Sequence, residues 1–163
     1  MSPPPHWRGR ILERPSIVPV AVVVDTTQHV VTLRYTGTTS FEQWREAMHA
    51  LLANPAYQPG MCVVADHREA DDIPSPEFVR AKVDWLEAHA DSFPGCGWAI
   101  IARDLADYGM SRMAEMLVER TTVALRAFRD YAEARAWLAG HESIPLPTRV
   151  SGAFRAEFRN QLG

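Results

Sequence analysis

The sequence predicts one α/β domain with a mixed, mostly parallel β-sheet and helices packed against it. Two short and almost unbroken apolar runs, 61–66 and 96–102, are typical of strands that are buried on both faces of a sheet. Amphipathic segments with helical spacing alternate with these runs, which favours right-handed crossovers between parallel strands. An N-terminal hairpin precedes them, so the predicted order is ββαβαβαβα.

The hairpin is predicted from two different patterns. Residues 17–24 form a short segment rich in β-branched side chains. Residues 29–35 alternate apolar Val31, Leu33 and Tyr35 with polar neighbours, which is the period of a strand. The four residues between the two segments form a turn, so the second strand is predicted to pair with the first.

The predicted helices begin at recognisable caps. A capping box can open the first helix, formed either by Ser40 with Gln43 or by Thr39 with Glu42. Ser75 is predicted to cap the second helix, because a proline and an acidic residue follow it. The remaining predicted elements are a helix stripe at Met110, Met113, Ala114 and Leu117, a strand within 121–128, and a last helix with a capping box at 130–133 and Tyr131, Ala134, Trp137 and Leu138 on its apolar face.

Composition limits the classes of function. With 47% hydrophobic and 23% charged residues in 163, the chain has the composition of a single globular domain. The net charge of −3 disfavours nucleic-acid binding, which requires a basic surplus. Lys82 is the only lysine, an arginine bias that indicates a GC-rich, bacterial genome. Two cysteines fit a reduced compartment, and no apolar stretch reaches the about 18 residues of a membrane span, so we expect a cytoplasmic protein.

The chain is predicted to have three parts. Residues 1–16 form an irregular, proline-rich arm, residues 17–140 the α/β domain, and residues 141–163 a C-terminal extension. The extension has Phe154, Phe158 and Leu162 spaced by four, which is typical of a short amphipathic helix that packs on the chain itself or in a homodimer.

Candidate ligand-binding residues follow three of the predicted parallel strands, where ligands of open α/β sheets bind. Arginines and carboxylates gathered at this edge could hold a polar or anionic group. The alternative is that the acids cap helices or pair with the arginines in solvent. The residues are Asp66, His67 and Arg68, then Arg103 and Asp104, and then Arg129.

His67 is the strongest candidate for acid–base chemistry, because an unperturbed histidine titrates near neutral pH. Asp66 or Glu69 could orient it. No serine or cysteine occurs in a recognisable nucleophile motif, and both cysteines begin strands at the opposite edge, so a hydrolase using His67 is a remote alternative. The six histidines have no compact ligand spacing and no phosphate-binding glycine loop opens a helix, so neither a metal nor a cofactor is predicted.

Two further features suggest binding sites. Ser75 could accept a phosphate, since a helix N-terminus stabilises negative charge, although a plain capping hydroxyl is the commoner role. Tyr108, Met110 and Met113 form an adaptable apolar cluster, with Met116 beside it. This cluster could cover a cavity for a small apolar or amphipathic ligand, or it could be ordinary core.

Two stretches carry a resemblance to a known family. Tyr57–Gly60 leads into the strand and the Asp66–Arg68 segment, and Arg126–Asp130 precedes the apolar face of the last helix. Together they resemble the bacterial SpoIIAA-like, STAS-like domains, which are related to SEC14-like domains, over roughly residues 20–140.

This resemblance implies a mixed sheet whose first strand is antiparallel. It also implies a non-enzymatic regulatory or protein-interaction module, with capture of a small apolar ligand as the alternative. The chain departs from the phosphorylated members, which have an Asp-Ser or Ser-Ser pair at the start of the helix after the third strand. Here Ser75 stands alone before a proline.

Overall fold

The computed structural model describes residues 18–141, and its five strands form one mixed sheet in the order β1-β2-β3-β4-β5. Strands β1 and β2 are antiparallel, and each later neighbouring pair is parallel. The strands are β1 (Val20–Asp25), β2 (Val30–Gly37), β3 (Cys62–Ala70), β4 (Gly97–Ile101) and β5 (Ala124–Phe128), and the helices are α1 (Phe41–Ala53), α2 (Pro76–Ala88), α3 (Leu105–Leu117) and α4 (Tyr131–Ala139). The predicted fold class and the order ββαβαβαβα are confirmed.

The predicted helix starts are present as hydrogen bonds. Of the two capping boxes that the sequence permits before α1, Ser40 with Gln43 forms: the Gln43 amide donates to Ser40 Oγ at 3.2 Å and the Ser40 amide donates to Gln43 Oε1 at 2.9 Å. Ser75 Oγ accepts from the Phe78 amide at 3.1 Å and caps α2. These caps fix where each helix leaves the sheet edge.

β3 and β5 differ from their predicted extents by several residues. β3 continues to Ala70, because Thr36 and Gly37 of β2 pair with its last residues. β5 starts at Ala124, since a 3₁₀ turn at Val118–Arg120 ends on Thr121. The Thr121 amide and hydroxyl both donate to the Val118 carbonyl at 2.8 Å, which keeps this residue out of the ladder.

The two faces of the sheet are covered unequally. Helices α1, α2 and α3 pack on one face over the larger core, which includes Trp44, Met48, Val83 and Trp98. On the other face α4 packs over a smaller core. Since neighbouring strand residues point to opposite faces, Val63 and Ala65 belong to the first core and Cys62 and Val64 to the second.

The buried face of α3 differs from its prediction. The sequence pattern predicts a stripe of Met110, Met113, Ala114 and Leu117, whereas the residues that the helix and its following turn bury are Asp107, Ser111, Ala114 and Val118. Both methionines and Leu117 are only half-buried. The helix is rotated about its axis relative to the prediction because Asp107 has polar partners beneath it. These partners offset the free-energy cost of burying a carboxylate.

A bulge interrupts the pairing of β2 with β3. Arg34 pairs with Asp66 and Thr36 with Glu69, so Tyr35 alone lies opposite His67 and Arg68. In a regular strand, residues three apart face opposite sides. The extra residue changes the alternation, and His67 and Ala70 both line the same cleft.

Some predictions fall on other parts of the chain. The proline-rich arm and most of the C-terminal extension, including its three apolar residues Phe154, Phe158 and Leu162, lie outside the described residues. Within residues 18–141, no helix is both long enough and apolar enough to cross a bilayer.

Candidate functional site: a lysine, tyrosine and histidine cleft

A cleft of about 280 Å³ opens between the ends of β2 and β3 and the first two turns of α2. One side is apolar and the other has titratable side chains. We refer to this space as the cleft, and its lining consists of Tyr35, Thr39, His67, Ala70, Asp72, Ile73, Pro74, Ser75, Phe78 and Lys82. It lies beyond the carboxyl ends of parallel strands, where such sheets commonly bind ligands.

His67 is oriented by a carboxylate from α3. Its Nδ1 lies 3.1 Å from both Oδ1 and Oδ2 of Asp107, and both side chains are buried. Asp107 Oδ2 also accepts from the Arg103 amide at 2.9 Å. Burial raises the pKa of Asp107, but the hydrogen bond and charge of His67 outweigh it and the net direction is downward. Asp107 is therefore ionised.

The protonation of His67 follows from these contacts. Burial lowers the pKa of His67 and the nearby Lys82 charge lowers it further, while the hydrogen bond to Asp107 raises it, with a net lowering. The imidazole is thus neutral at pH 7, and the tautomer that satisfies Asp107 has its hydrogen on Nδ1. Nε2 is then an acceptor, and within the described residues this buried atom has no partner.

Tyr35 links the histidine to the helices. Its ring meets the His67 ring edge-on with centroids 4.5 Å apart. Its Oη accepts from Trp44 Nε1 at 3.0 Å and from Lys82 Nζ at 3.4 Å. Burial raises the pKa of Tyr35, so the hydroxyl stays protonated. With both acceptor positions used, the hydroxyl hydrogen is left to donate, and no acceptor for it is found among the described side chains.

Lys82 lies among aromatic rings. Its Nζ is 5.1 Å from the ring centroids of Tyr35 and Phe78 and 5.4 Å from that of Trp44. None of the ion pairs formed by residues 18–141 includes it. Burial lowers the pKa of Lys82 to about 8, although the charge of Asp107 acts in the opposite direction. The amine is therefore still mostly charged at pH 7 and half neutral near pH 8.

A second and smaller cavity of about 30 Å³ lies deeper, beneath α3. His67, Pro74 and Lys82 line both spaces and so form the partition between them. The rest of its lining is mostly apolar and includes Met110 and Ser111. Ser111 Oγ, like His67 Nε2, has no partner among the described residues, and the cavity has the size of one water molecule.

The chemistry of the cleft follows from the three groups that meet there. Lys82 donates, the Tyr35 hydroxyl donates, and His67 Nε2 accepts. A complementary molecule has an oxygen that accepts from lysine and tyrosine, and a compact apolar body that contacts Phe78 and Ile73. Such a set, a few convergent polar groups on a partly apolar concavity, is typical of small-molecule sites.

Asp66 and Arg68 lie on the other face of the sheet. Asp66 accepts from Arg68 Nε at 2.9 Å and from its terminal nitrogen at 2.8 Å, and Arg68 lies 5.1 Å above the Tyr131 ring at the start of α4. Asp66 precedes His67 in the same strand, so their side chains point to opposite faces. The carboxylate that orients His67 is therefore Asp107, and neither Asp66 nor Glu69 has that role.

Arg103 and Asp104 connect elements rather than line the cleft. Arg103 donates to the Ala70 carbonyl at 2.7 Å and to Asp104 Oδ2 at 3.0 Å. Asp104 also caps α3 by accepting from the Asp107 amide at 2.9 Å, which places Asp107 beneath the helix. The arginine therefore connects the end of β3 to the start of α3.

The other predicted site residues are divided among different places. His67 and Ser75 line the cleft, and Met110 lines the inner cavity. Tyr108 and Met113 are half-buried and Arg129 is exposed, and none of the three belongs to either lining. The predicted residues are thus not gathered in one site.

Three functional candidates were not predicted from the sequence, and each had a local signal. Lys82 occupies the apolar stripe of α2 together with Val79, Val83 and Leu86, although a lysine is rarely placed on a buried face. Asp107 is a carboxylate on the buried stripe of α3. Tyr35 is the last inward residue of β2, next to the strand end.

Metal binding has no support from the side chains in residues 18–141. No group of three or more histidine, cysteine, aspartate or glutamate side chains is arranged there to hold an ion.

Comparison with known proteins supports the fold alone. No protein-family model matches the chain, and no curated protein has significant similarity to it. Among solved structures, it is similar to an uncharacterised DUF3478-family protein with a SpoIIAA-like fold from Shewanella loihica PV-4. The two share 20% identity with a TM-score of 0.51, over 73% of this chain and 93% of the other. The chain therefore has a SpoIIAA-like fold.

Proposed function

We propose that this chain is a non-enzymatic module that captures a small amphipathic molecule in the cleft and signals its presence to a protein partner. The observation that carries the proposal is the convergence of Lys82, Tyr35 and His67 on a partly apolar cleft, where no carboxylate from the described residues pairs with the lysine.

Size and polarity define the ligand. The cleft of about 280 Å³ is at the lower limit of the range for small-molecule sites, ~300–1,000 Å³, so the molecule is compact. Its polar end contains an oxygen that accepts from Lys82 and Tyr35. Its apolar body contacts Phe78, Ile73 and Pro74. In this proposal the carrier or sensor binds its small amphipathic ligand at the start of α2, and not beneath the methionine cluster of α3 as the sequence predicted.

The regulatory, protein-interaction role is proposed for the outer side of the same helix turn. Ser75, Pro76 and Glu77 are exposed there, and Ile73 next to them is 43% exposed. A ligand in the cleft contacts this segment from inside while a partner contacts it from outside, so binding of one changes the affinity for the other. Phosphorylation of Ser75 stays a prediction, as does a homodimer.

The hydrolase alternative is not favoured by the geometry. Asp107 and His67 form an oriented pair, but the serine closest to them in the chain, Ser111, lines the inner cavity and is only 3% exposed. A cavity of about 30 Å³ cannot admit an ester or amide substrate next to this serine.

Ligand capture can be tested with benzoate, benzyl alcohol and benzaldehyde as probes of the full chain. We expect each probe to show saturation-transfer NMR signals with the wild type. The benzoate signal should be at least ~10-fold weaker with Lys82→Met, since loss of a charged hydrogen-bond donor costs about 1.5–3 kcal/mol. Arg80→Met, an exposed change on the same helix, is the matched control. Absence of signal from all three probes, or equal signals in Lys82→Met, would contradict the proposal.

The natural ligand can be sought by mass spectrometry of the protein purified from its own host. A mass that survives native conditions and disappears on denaturation supports capture and identifies the chemical class. A bare polypeptide in both spectra, from preparations in which the probes also fail to bind, counts against capture and leaves a protein-interaction role without a ligand.

A further inference from the structure

We propose that Lys82 forms a reversible imine with a small aldehyde that enters the cleft. This inference rests on the proposed ligand capture and names the class of molecule captured, an aldehyde with a compact apolar body. Two features support it: the surroundings of the amine and the groups beside it.

The surroundings of Lys82 favour a nucleophilic amine. Three aromatic rings within 5.4 Å and the absence of an ion-pair partner among the described residues place the nitrogen in a poorly solvated position. Because burial lowers its pKa to about 8, about half of the amine is neutral at pH 8. Only the neutral form attacks a carbonyl carbon, and lysines in hydrophobic pockets are activated in this way.

The neighbouring groups suit a carbonyl substrate. Tyr35 Oη is 3.4 Å from Nζ, so its free hydrogen is placed to donate to a carbonyl oxygen whose carbon meets the amine. His67 Nε2, on a ring 4.5 Å from that of Tyr35, is a buried acceptor without a partner in residues 18–141. Asp107 orients this ring and stabilises its protonated form, so Nε2 can take a proton and return it.

The step balances without any other reactant. The Lys82 ammonium gives a proton to His67 Nε2, and the amine nitrogen forms a bond to the aldehyde carbon. The Tyr35 hydroxyl gives its hydrogen to the carbonyl oxygen and takes one from the newly bonded nitrogen, which leaves a neutral carbinolamine. The carbinolamine then loses this oxygen as water, with the proton returned from His67, and a protonated carbon–nitrogen double bond remains. One ammonium and one aldehyde become one iminium and one water, and addition of water reverses the reaction.

The chain is favourable for a test because Lys82 is its only lysine. The full-length protein is incubated with benzaldehyde and sodium cyanoborohydride at pH 8, and the intact mass and peptide map are recorded. Reduction of the imine replaces one amine hydrogen with a benzyl group. We expect Lys82 to be modified at least ~10-fold faster than the amino-terminal amine, which serves as internal reference, since acid–base assistance contributes on the order of 10²–10⁴.

Variants separate the contributions of Lys82 and Tyr35 to imine formation. Lys82→Arg should lose the adduct while the reference amine still reacts, and Tyr35→Phe should slow modification at Lys82 because the carbonyl loses its donor. Arg80→Met should react as the wild type does. Circular dichroism checks that each variant folds. If Lys82→Arg fails to fold, protection of wild-type Lys82 by excess benzyl alcohol decides whether reaction occurs in the cleft.

The outcomes distinguish this inference from the function on which it rests. If Lys82 reacts no faster than the reference amine while benzoate and benzyl alcohol still give saturation transfer, the imine is overturned and ligand capture stands. If none of the probes binds and Lys82 is not modified, both are overturned. Rapid modification that benzyl alcohol does not prevent also contradicts reaction within the cleft.

Discussion

Lys82 Nζ lies 3.4 Å from Tyr35 Oη, and this contact joins the only lysine of the chain to a hydroxyl that already accepts a hydrogen bond from Trp44. The ammonium is stabilised by a hydroxyl oxygen, by aromatic rings and by the charge of Asp107, without an ion-pair partner among the described residues. Such an arrangement weakens the charged state relative to water. It therefore connects the stability of the fold to the protonation of one amine.

Lys82→Met should raise the free energy of unfolding at pH 7, and the gain should shrink as pH rises. Below pH 8 the lysine is charged in both states and its burial destabilises the fold. Between a folded pKa of about 8 and the higher unfolded pKa, the folded state has released its proton, so wild-type stability rises with pH. The gain is at most about 3 kcal/mol, reduced because Lys82 as a whole is only half-buried.

Urea unfolding of the wild type and Lys82→Met at pH 7, 8 and 9 measures this difference directly. Comparing the two proteins removes the contributions of other groups that titrate in the same range. If the difference in free energy of unfolding between the two proteins does not change between pH 7 and 9, burial of the charged lysine does not destabilise the fold.

His67 should make the fold less stable in mild acid. Its pKa is lowered in the folded state, so as pH falls below the unfolded value of about 6.5 the unfolded chain binds a proton first. The free energy of unfolding therefore decreases until the folded pKa is reached. His67→Gln should reduce this acid dependence, and denaturant unfolding between pH 7 and 5 measures it. An unchanged slope in the variant would contradict the assignment.

Asp107→Asn should lower the pKa of His67 further, because the hydrogen bond and charge that favour the imidazolium are removed. We also expect a stability loss of about 1–3 kcal/mol from the buried pair. The imidazole resonance in an NMR pH titration reports the first effect. Asp104→Asn, which keeps a good capping residue at the start of α3, is the control and should leave that titration in place.

Tyr35→Phe should cost about 1–3 kcal/mol, since it leaves the buried Trp44 indole hydrogen without an acceptor. The double variant with Trp44→Phe removes both partners, so its loss should be smaller than the sum of the two single losses. A double-mutant cycle from thermal or urea unfolding gives the coupling. Strict additivity would mean that the hydrogen bond contributes nothing.

Gly97→Ala should destabilise the protein by about 1–3 kcal/mol. An added Cβ would lie 3.0 Å from His141 Cβ and 3.2 Å from Leu138 Cδ2, so α4 would have to move from β4. Gly109→Ala is the matched control in α3, where nothing lies within 4 Å. It should stabilise by roughly 0.5–1 kcal/mol through helix propensity, and melting temperatures compare the two.

The fold could be predicted because its signals are local. Ser40 and Ser75 were predicted as helix caps from the sequence alone, and both are caps in the structure. The alternation of apolar and polar residues in 29–35 predicted β2. An apolar run likewise predicts a buried strand, and the prediction does not require knowing which helices cover that strand.

The site could be predicted only in part because it is built across elements. His67 was identified at the end of a strand, but its partner Asp107 lies forty positions later, on a helix whose rotation depends on that same contact. Lys82 and Tyr35 meet only when α2 packs on the sheet. Strand alternation alone could have excluded Asp66 as the partner of His67.

The bulge opposite Tyr35 has a consequence for how proteins with this fold can evolve. A chain lacking His67 would pair β2 with β3 regularly and keep all five strands, yet Arg68 would then lie opposite Tyr35 and take the place of the histidine in the cleft wall. Gain or loss of a single codon can thus create or erase the site while the scaffold persists. When other chains with this sheet are surveyed, a histidine opposite the tyrosine at this position is a better marker of shared chemistry than overall shape.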